Sequence, residues 1–264
     1  MTDASQTTPW WALRYEALAA LDPALAGPTD DRADAEVAFV HALLELDAAR
    51  ILDVGAGVGA HAVRCAEAGH HVTALDLSPR LLRLGRERWE AMGGAPGGPT
   101  WMPGDMRWLP AGSAVDAVLL LDSFGYFDDE ADHARVLAAV AQHLRPGGQL
   151  VMSVGNPYHW SGRARVVHSA PGALAEGLDV VRSFRFDALR GRLEERTLCF
   201  GGAGRTEAPA SSVRLYTPIE LEALLAAAGF TEIEIHGSEG FAVPDEPQPL
   251  HATDSVTLWV HARL

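Results

Sequence analysis

Two hydrophobic rhythms alternate along this chain. Short apolar runs occur at "ILDV" (51–54), "HVTALDL" (71–77), "VDAVLLL" (115–121) and "QLVMSV" (149–154), the length and composition of strands buried on both faces. Helical spacing fills the gaps. "AHAVRCAEAG" predicts a helix that stops at Gly69, and Ser78 with Pro79 predicts an N-cap and first turn ahead of Leu81, Leu82, Gly85 and Trp89. Val136, Leu137, Val140 and Leu144 mark a further helix ending at "RPGG" (145–148), "GGAPGGP" (93–99) reads as a loop, and a short strand is expected near 100–102. Strand and helix in alternation predict an α/β fold with a doubly wound, mostly parallel sheet.

After residue 178 the rhythm changes to single-residue alternation, as in "SFRFDALRGRLEERTLCF", around a turn at Leu189–Gly191. This predicts a small antiparallel β insert of two or three strands. Thr217, Pro218 and Glu220 form a capping-box start for a helix through Leu221, Leu224 and Leu225 to Gly229, and "FTEIEIHG" and "SVTLWVHAR" then close the main sheet. The expected divisions are an N-terminal helical lid (1–48), a core (49–178), the insert (179–216) and the end of the core sheet (217–264).

Composition narrows the partners. A chain of 264 residues, 48% hydrophobic and without internal repeats, is expected to form one main domain. Its formal charge of −14 argues against gripping nucleic acid phosphates. The N-terminus shows no basic segment followed by an apolar run, and no stretch of eighteen apolar residues occurs, so a soluble, cytoplasmic protein without membrane contact is expected. Cys65 and Cys199 lie far apart without metal-ligand spacing, which suggests neither a disulfide framework nor a metal site.

The chemistry concentrates at "ILDVGAGVGAH" (51–61), where a strand hands over to a helix and glycine occupies Gly55, Gly57 and Gly59. Glycine there lets a ligand approach the backbone. Gly55, Gly57 and Ala60 fit a dinucleotide fingerprint with Asp76 placed for a ribose, which would suit an oxidoreductase; Asp53 through Gly59 also read as D-x-G-x-G-x-G. Three further features favour the second pattern: "GDM" (104–106) after the third strand, "LRPGG" (144–148) before the fifth, and a sheet that begins near residue 50. With these motifs the chain resembles the class I methyltransferases that use S-adenosylmethionine. "SFGYF" (123–127), "FDALRGRLEERT" (186–197) and "RLYTPIELEALLAAAGF" (214–230) make it most similar to small-molecule members, including natural-product amine N-methyltransferases and, more distantly, glycine-type N-methyltransferases.

The resemblance implies a Rossmann-like seven-stranded sheet with helices on both faces, S-adenosylmethionine as cofactor, and a small-molecule methyl acceptor. It implies that Gly55, Ala56, Gly57 and Gly59 admit the methionine part of the cofactor, with Asp53 near its ammonium, and that Asp76 accepts the ribose hydroxyls. Asp105 and the Met106 amide would meet the adenine, with Leu77 and Met106 against the ring; Leu121 and Asp122 would border the methionine, and Tyr15, beside Trp10 and Trp11, would cover the site. Ser123, Phe124 and Tyr126 would stand beside the methyl group, with Trp11, Asn156, Tyr158, His159, Trp160 and Tyr216 as substrate contacts. Among eleven histidines only His159 sits where a base is expected, so Tyr126 and His159 are the catalytic candidates; the lack of a visible acidic partner for His159 favours a nitrogen acceptor. O-methylation of a hydroxylated metabolite and a non-methylating, cyclase-like reaction on the same cofactor remain the alternatives.

Overall fold

The structure is a computed structural model that describes residues 9–94, 98–110, 112, 114–169, 174–202 and 204–264. Residues 1–8 of the expected lid, 95–97 of the 93–99 loop, 111, 113 and 170–173 of the expected core and residue 203 of the insert lie outside the described residues.

The chain runs α1 (Trp10–Leu21), a short 3₁₀ turn (Pro23–Ala26), α2 (Asp30–Leu44), β1 (Arg50–Val54), α3 (Ala60–Glu67), β2 (His71–Asp76), α4 (Pro79–Ala91), β3 (Thr100–Pro103), β4 (Val115–Leu121), α5 (Glu130–His143) and β5 (Leu144–Gly155). It continues through α6 (Pro157–Trp160), β6 (Ala164–His168), β7 (Asp179–Asp187), β8 (Arg192–Gly201), β9 (Gly204–Glu207), β10 (Ser211–Arg214), α7 (Pro218–Ala228), β11 (Glu232–His236) and β12 (Thr257–Arg263). Seven strands form the main sheet in the order β11-β12-β5-β4-β1-β2-β3. All pairings from β5 to β3 are parallel, while β12 runs antiparallel to both β5 and β11.

The continuous apolar runs of the central strands are explained by burial on both faces. On one face Leu52, Val118, Leu120, Leu150 and Met152 pack against Val136, Leu137 and Val140 of α5 and Leu221 and Leu225 of α7. The residues between them, Ile51, Ala117, Leu119 and Val151, face the other way onto Val37, Phe39 and Val40 of α2, Ala62 and Cys65 of α3 and Leu82 of α4. The helix signals act where they stand: Ser78 Oγ accepts the Leu81 amide at the start of α4, and Thr217 and Glu220 form a reciprocal capping box on α7.

Three expectations are revised. The "RPGG" turn is drawn into β5, because the Gly147 amide donates to Leu264 O at 3.2 Å and the Leu264 amide returns to Gly148 O at 3.0 Å. The second sheet begins at Ala164 and has five strands, ordered β10-β8-β7-β6 with β9 on β8. Its extra strands, β6 and β9, are almost wholly exposed, so no apolar alternation announced them. Within the N-terminal segment, α2 is a layer of the core, while α1 and the 3₁₀ turn, through Leu18 and Leu25, reach over to the second sheet. There the buried Arg14 donates to Pro209 O at 2.6 Å and Thr197 Oγ1 at 2.8 Å and pairs with Glu195 at 2.6 Å. No helix among the described residues is long and apolar enough to cross a membrane.

Candidate active site

A cavity of about 840 Å³ lies between the carboxyl ends of the central strands and the second sheet. Its floor begins at the glycine turn after β1. The Gly55 and Ala56 amides both donate to Leu75 O, at 2.8 and 3.0 Å, folding the turn over the end of β2. Gly55 has φ +75°, and a Cβ there would fall 2.6 Å from Ser123 Oγ, so backbone conformation and close approach both require glycine. At Gly59 a Cβ would enter the Trp101 ring at 2.3 Å; this glycine serves packing under the turn and does not line the cavity.

Carboxylates surround the turn. Asp76, the last residue of β2, accepts the Gly57 amide on Oδ2 and the Ser78 amide on Oδ1, both at 2.8 Å. Burial pushes its pKa up, and those two amides offset part of the shift. Glu16 of α1 stands beside it and accepts the Ser78 hydroxyl. Asp105 faces the cavity but is also gripped by Arg107; burial pushes its carboxyl up, and the hydrogen bonds and charge of Arg107 together outweigh it and leave it below the usual range. Asp122 follows β4 in the left-handed region at φ 49°, with its Oδ1 accepting Ser153 Oγ at 3.2 Å. Its pKa is raised by burial and then by Glu36.

At the same end of the cavity Glu36 is buried and spends both oxygens, accepting Arg32 Nε at 2.8 Å and meeting His61 Nε2 at 2.7 Å. Burial opposes the charge on His61, but Glu36 and Asp53 hold it toward the protonated form. Arg32 Nη2 lies 3.6 Å from Asp122 Oδ2. Arg32 and Asp122 thus form an ion pair in the cavity wall, a cation and an anion side by side that a zwitterionic ligand could engage from the cavity.

Asp53, expected near the cofactor ammonium, sits behind the turn and is not among the residues that line the cavity. Its Oδ2 is buried without a partner among the described residues, and burial, opposed by His61, pushes its pKa up to about 6. The stability this group contributes is fully present below its unfolded value of 3.8 and is lost as pH rises through about 6. We therefore expect the protein to lose stability relative to Asp53→Asn, by on the order of 2 kcal/mol, between about pH 4 and about pH 6. Urea unfolding of both proteins checks this; a stability difference that does not change with pH would contradict it.

Aromatic residues close the remaining side. Tyr15 and Tyr126 join hydroxyls at 2.6 Å with rings stacked 6.0 Å apart, and Tyr126 donates to Asp122 O at 2.8 Å. Burial raises both phenols, Tyr126 furthest. Trp10 tilts against Tyr126 at 5.2 Å, and Trp11 meets Phe127 edge-on at 5.3 Å.

Of the sequence candidates, Trp11, Tyr15, Gly55, Ala56, Gly57, Asp76, Leu77 and Asp105 line this one cavity, as do Met106, Leu121, Asp122, Ser123, Phe124, Tyr126 and Trp160. Four expected substrate contacts do not. Asn156 gives its amide nitrogen to Ala252 O and Ser255 O and caps α6 with its oxygen. Tyr158 points to solvent, and His159 turns Nδ1 to Thr253 O at 2.9 Å on the far side of Trp160. Tyr216 is buried against His133, whose Nδ1 meets its hydroxyl at 2.7 Å while Nε2 accepts the Phe127 amide at 3.1 Å. This pair holds the 122–127 loop from beneath; burial and then Arg192 lower the His133 pKa to about 4.

The sequence reading missed Glu16, Arg32, Glu36 and His61, together with Arg182 and Glu195 of the second sheet, all of which line the cavity. Glu16, Arg32, Glu36 and Arg182 belong to none of the motifs, while His61 closes the glycine stretch and Glu195 lies in the 186–197 stretch, neither with a role assigned there.

Residues 51–148 match the family model for a methyltransferase domain. The fold is similar to that of CalS10 with bound S-adenosylmethionine, an amino pentose methyltransferase from Micromonospora echinaspora, at 30% identity and a TM-score of 0.65, covering 95% of this chain and 96% of that one. Glycine N-methyltransferase of Rattus norvegicus is 34% identical over 119 residues, and the chain spans 40% of that protein's length. The cypemycin N-terminal methyltransferase of a Streptomyces species is 32% identical over 46% of this chain and 48% of its own.

Proposed function

The chain belongs to the S-adenosylmethionine-dependent methyltransferases, and we propose that it moves the methyl group of that cofactor to the nitrogen of a small-molecule amine. The donor set suits such a cofactor: a turn that a Cβ at Gly55 would obstruct, a strand-end carboxylate at Asp76, and the Arg32–Asp122 pair. Asp76 would accept ribose hydroxyls, Asp105 and Met106 would meet the adenine, and Leu77 would lie against its ring. When bound, S-adenosylmethionine supplies a methyl carbon already activated by a sulfonium.

The work left to the chain is alignment and exclusion of water. Trp11, Tyr15 and Tyr126 cover the opening, and the Ser123–Phe127 loop, fixed by His133, sets where an acceptor stands. The ring faces of Phe124 and Tyr126 favour the positive charge that a methylated amine carries.

The observation that favours nitrogen over oxygen is that no imidazole or phenol beside this loop is free to take a proton among the described residues, and the Asp122 carboxylate that begins the loop is engaged by Arg32 and Ser153. The phenols of Tyr15 and Tyr126 are kept protonated by burial, His133 has committed both nitrogens, and His159 is turned away to Thr253. A hydroxyl acceptor needs a base, whereas an amine needs only to arrive neutral. The likeness to CalS10, an enzyme of calicheamicin biosynthesis, supports a natural-product amine as the acceptor.

His159→Ala is therefore expected to keep at least about a tenth of the wild-type rate, since loss of a true general base costs on the order of 100-fold. The rate should rise with pH as the amine deprotonates. Loss of turnover in His159→Ala with cofactor affinity intact would contradict the reading.

A further inference from the structure

The roof of the cavity is one face of the second sheet. Alternate residues point into it: Val180, Arg182 and Phe184 from β7, Leu193 and Glu195 from β8. Leu174, Val213 and Leu215 continue the apolar lining. Two charged side chains interrupt this greasy face, and they are not equivalent. Glu195 is satisfied: its Oε1 pairs with Arg14 at 2.6 Å and accepts Thr197 Oγ1 at 2.8 Å. Arg182 is not. Its guanidinium reaches that same oxygen only through Nε at 3.8 Å, donates no hydrogen bond among the described residues, and keeps its side chain about a third exposed to the cavity.

The charges that meet here are Arg182 of this face and Arg14 of α1 against Glu195. The other titratable groups that line the cavity have partners of their own or lie on another strand: Arg32, Glu36, His61 and Asp122 form one cluster, Glu16 and Asp76 lie by Ser78, Asp105 is held by Arg107, Tyr15 and Tyr126 are bonded to each other, and His168 stands on β6 in register with Val181. A guanidinium on an apolar face whose one nearby carboxylate oxygen is already taken by Arg14 and Thr197 keeps open donors for a further anion, and its planar fork matches an oxyanion such as a carboxylate. Resting on the reading of the cavity as an amine methylation site, the geometry points to Arg182 as the residue that binds an oxyanion of the acceptor. The acceptor class is then an apolar molecule with a nucleophilic amine at one end and a carboxylate or similar oxyanion at the other, the amine toward the 122–127 loop and the anion toward the second sheet.

The test is calorimetric titration of the full chain, loaded with S-adenosylhomocysteine, with phenylacetate and with its neutral isostere phenylacetamide. Phenylacetate is expected to bind at least about tenfold more tightly, and Arg182→Met should reduce that preference to about threefold or less without changing affinity for S-adenosylhomocysteine. Arg182→Lys should keep part of it. Equal binding of acid and amide, a preference that survives Arg182→Met, or no binding of phenylacetate would each overturn the assignment; the wild-type comparison decides it even if the variants fail to fold. Because binding is read without turnover, an acceptor methylated on oxygen would leave this result standing, and binding blind to the anion would leave the nitrogen reading standing.

Discussion

Asp76→Ala is expected to weaken S-adenosylmethionine binding by roughly 10- to 100-fold, from the loss of charge-assisted hydrogen bonds worth on the order of 1.5–3 kcal/mol. The carboxylate has two tasks. It accepts the Gly57 and Ser78 amides at 2.8 Å, which fixes the glycine turn relative to the start of α4, and it presents its remaining lone pairs to the cavity. Alanine removes both, so the variant loses a ligand contact and the tether of the turn that lies beneath the ligand. Glu16, beside Ser78, cannot replace it because its position depends on α1 and not on the sheet. Calorimetric titration with the cofactor, with circular dichroism as a control for folding, reads the effect. Unchanged affinity in a folded Asp76→Ala protein would remove this residue from the site.

Gly55→Ala should damage stability and binding together. The left-handed backbone at φ +75° costs a residue with a Cβ about 1–2 kcal/mol. The new methyl would also lie 2.6 Å from Ser123 Oγ and 2.7 Å from its Cβ. Ser123 cannot retreat freely, since its hydroxyl is held by Leu121 O at 2.8 Å and the loop that follows is fixed by the Phe127 amide on His133. Relief must come from shifting the 122–127 loop or the glycine turn, and both border the cavity. A total loss of about 2–4 kcal/mol in unfolding free energy is expected, with a fall of more than about tenfold in cofactor affinity. Urea unfolding and calorimetry measure the two effects. A variant as stable as the wild type would show that the turn is not confined as described.

How much of this was legible in the sequence follows from what each residue packs against. The parallel strands announced themselves because residues such as Leu119 and Leu120 are buried on opposite faces, leaving no polar position to break the run. The acids Asp76, Asp105 and Asp122 were legible as cavity residues through the family resemblance, and they line one cavity in the structure because the carboxyl ends of parallel strands share one edge. The stretch after β5 misled for a tertiary reason: Asn156 and His159 are claimed by carbonyls of Ala252, Ser255 and Thr253, nearly a hundred residues away. Arg32 carries no signal in "DDRADAE", where it reads as one more charge on a solvated helix. Arg182 reads as an ordinary polar residue of an alternating strand, and only the placement of the second sheet over the cavity turns it inward.

The most direct measurement of the central claim uses S-adenosylmethionine carrying a ¹³C-labelled methyl group, with a panel of small amines and a matched panel of their hydroxyl analogues, the products being read by NMR. The account predicts S-adenosylhomocysteine formation with the amine panel and a labelled carbon at the chemical shift of an N-methyl group, at a rate that increases with pH. Turnover confined to the hydroxyl analogues, with the label in a methoxy group and lost in His159→Ala, would contradict it.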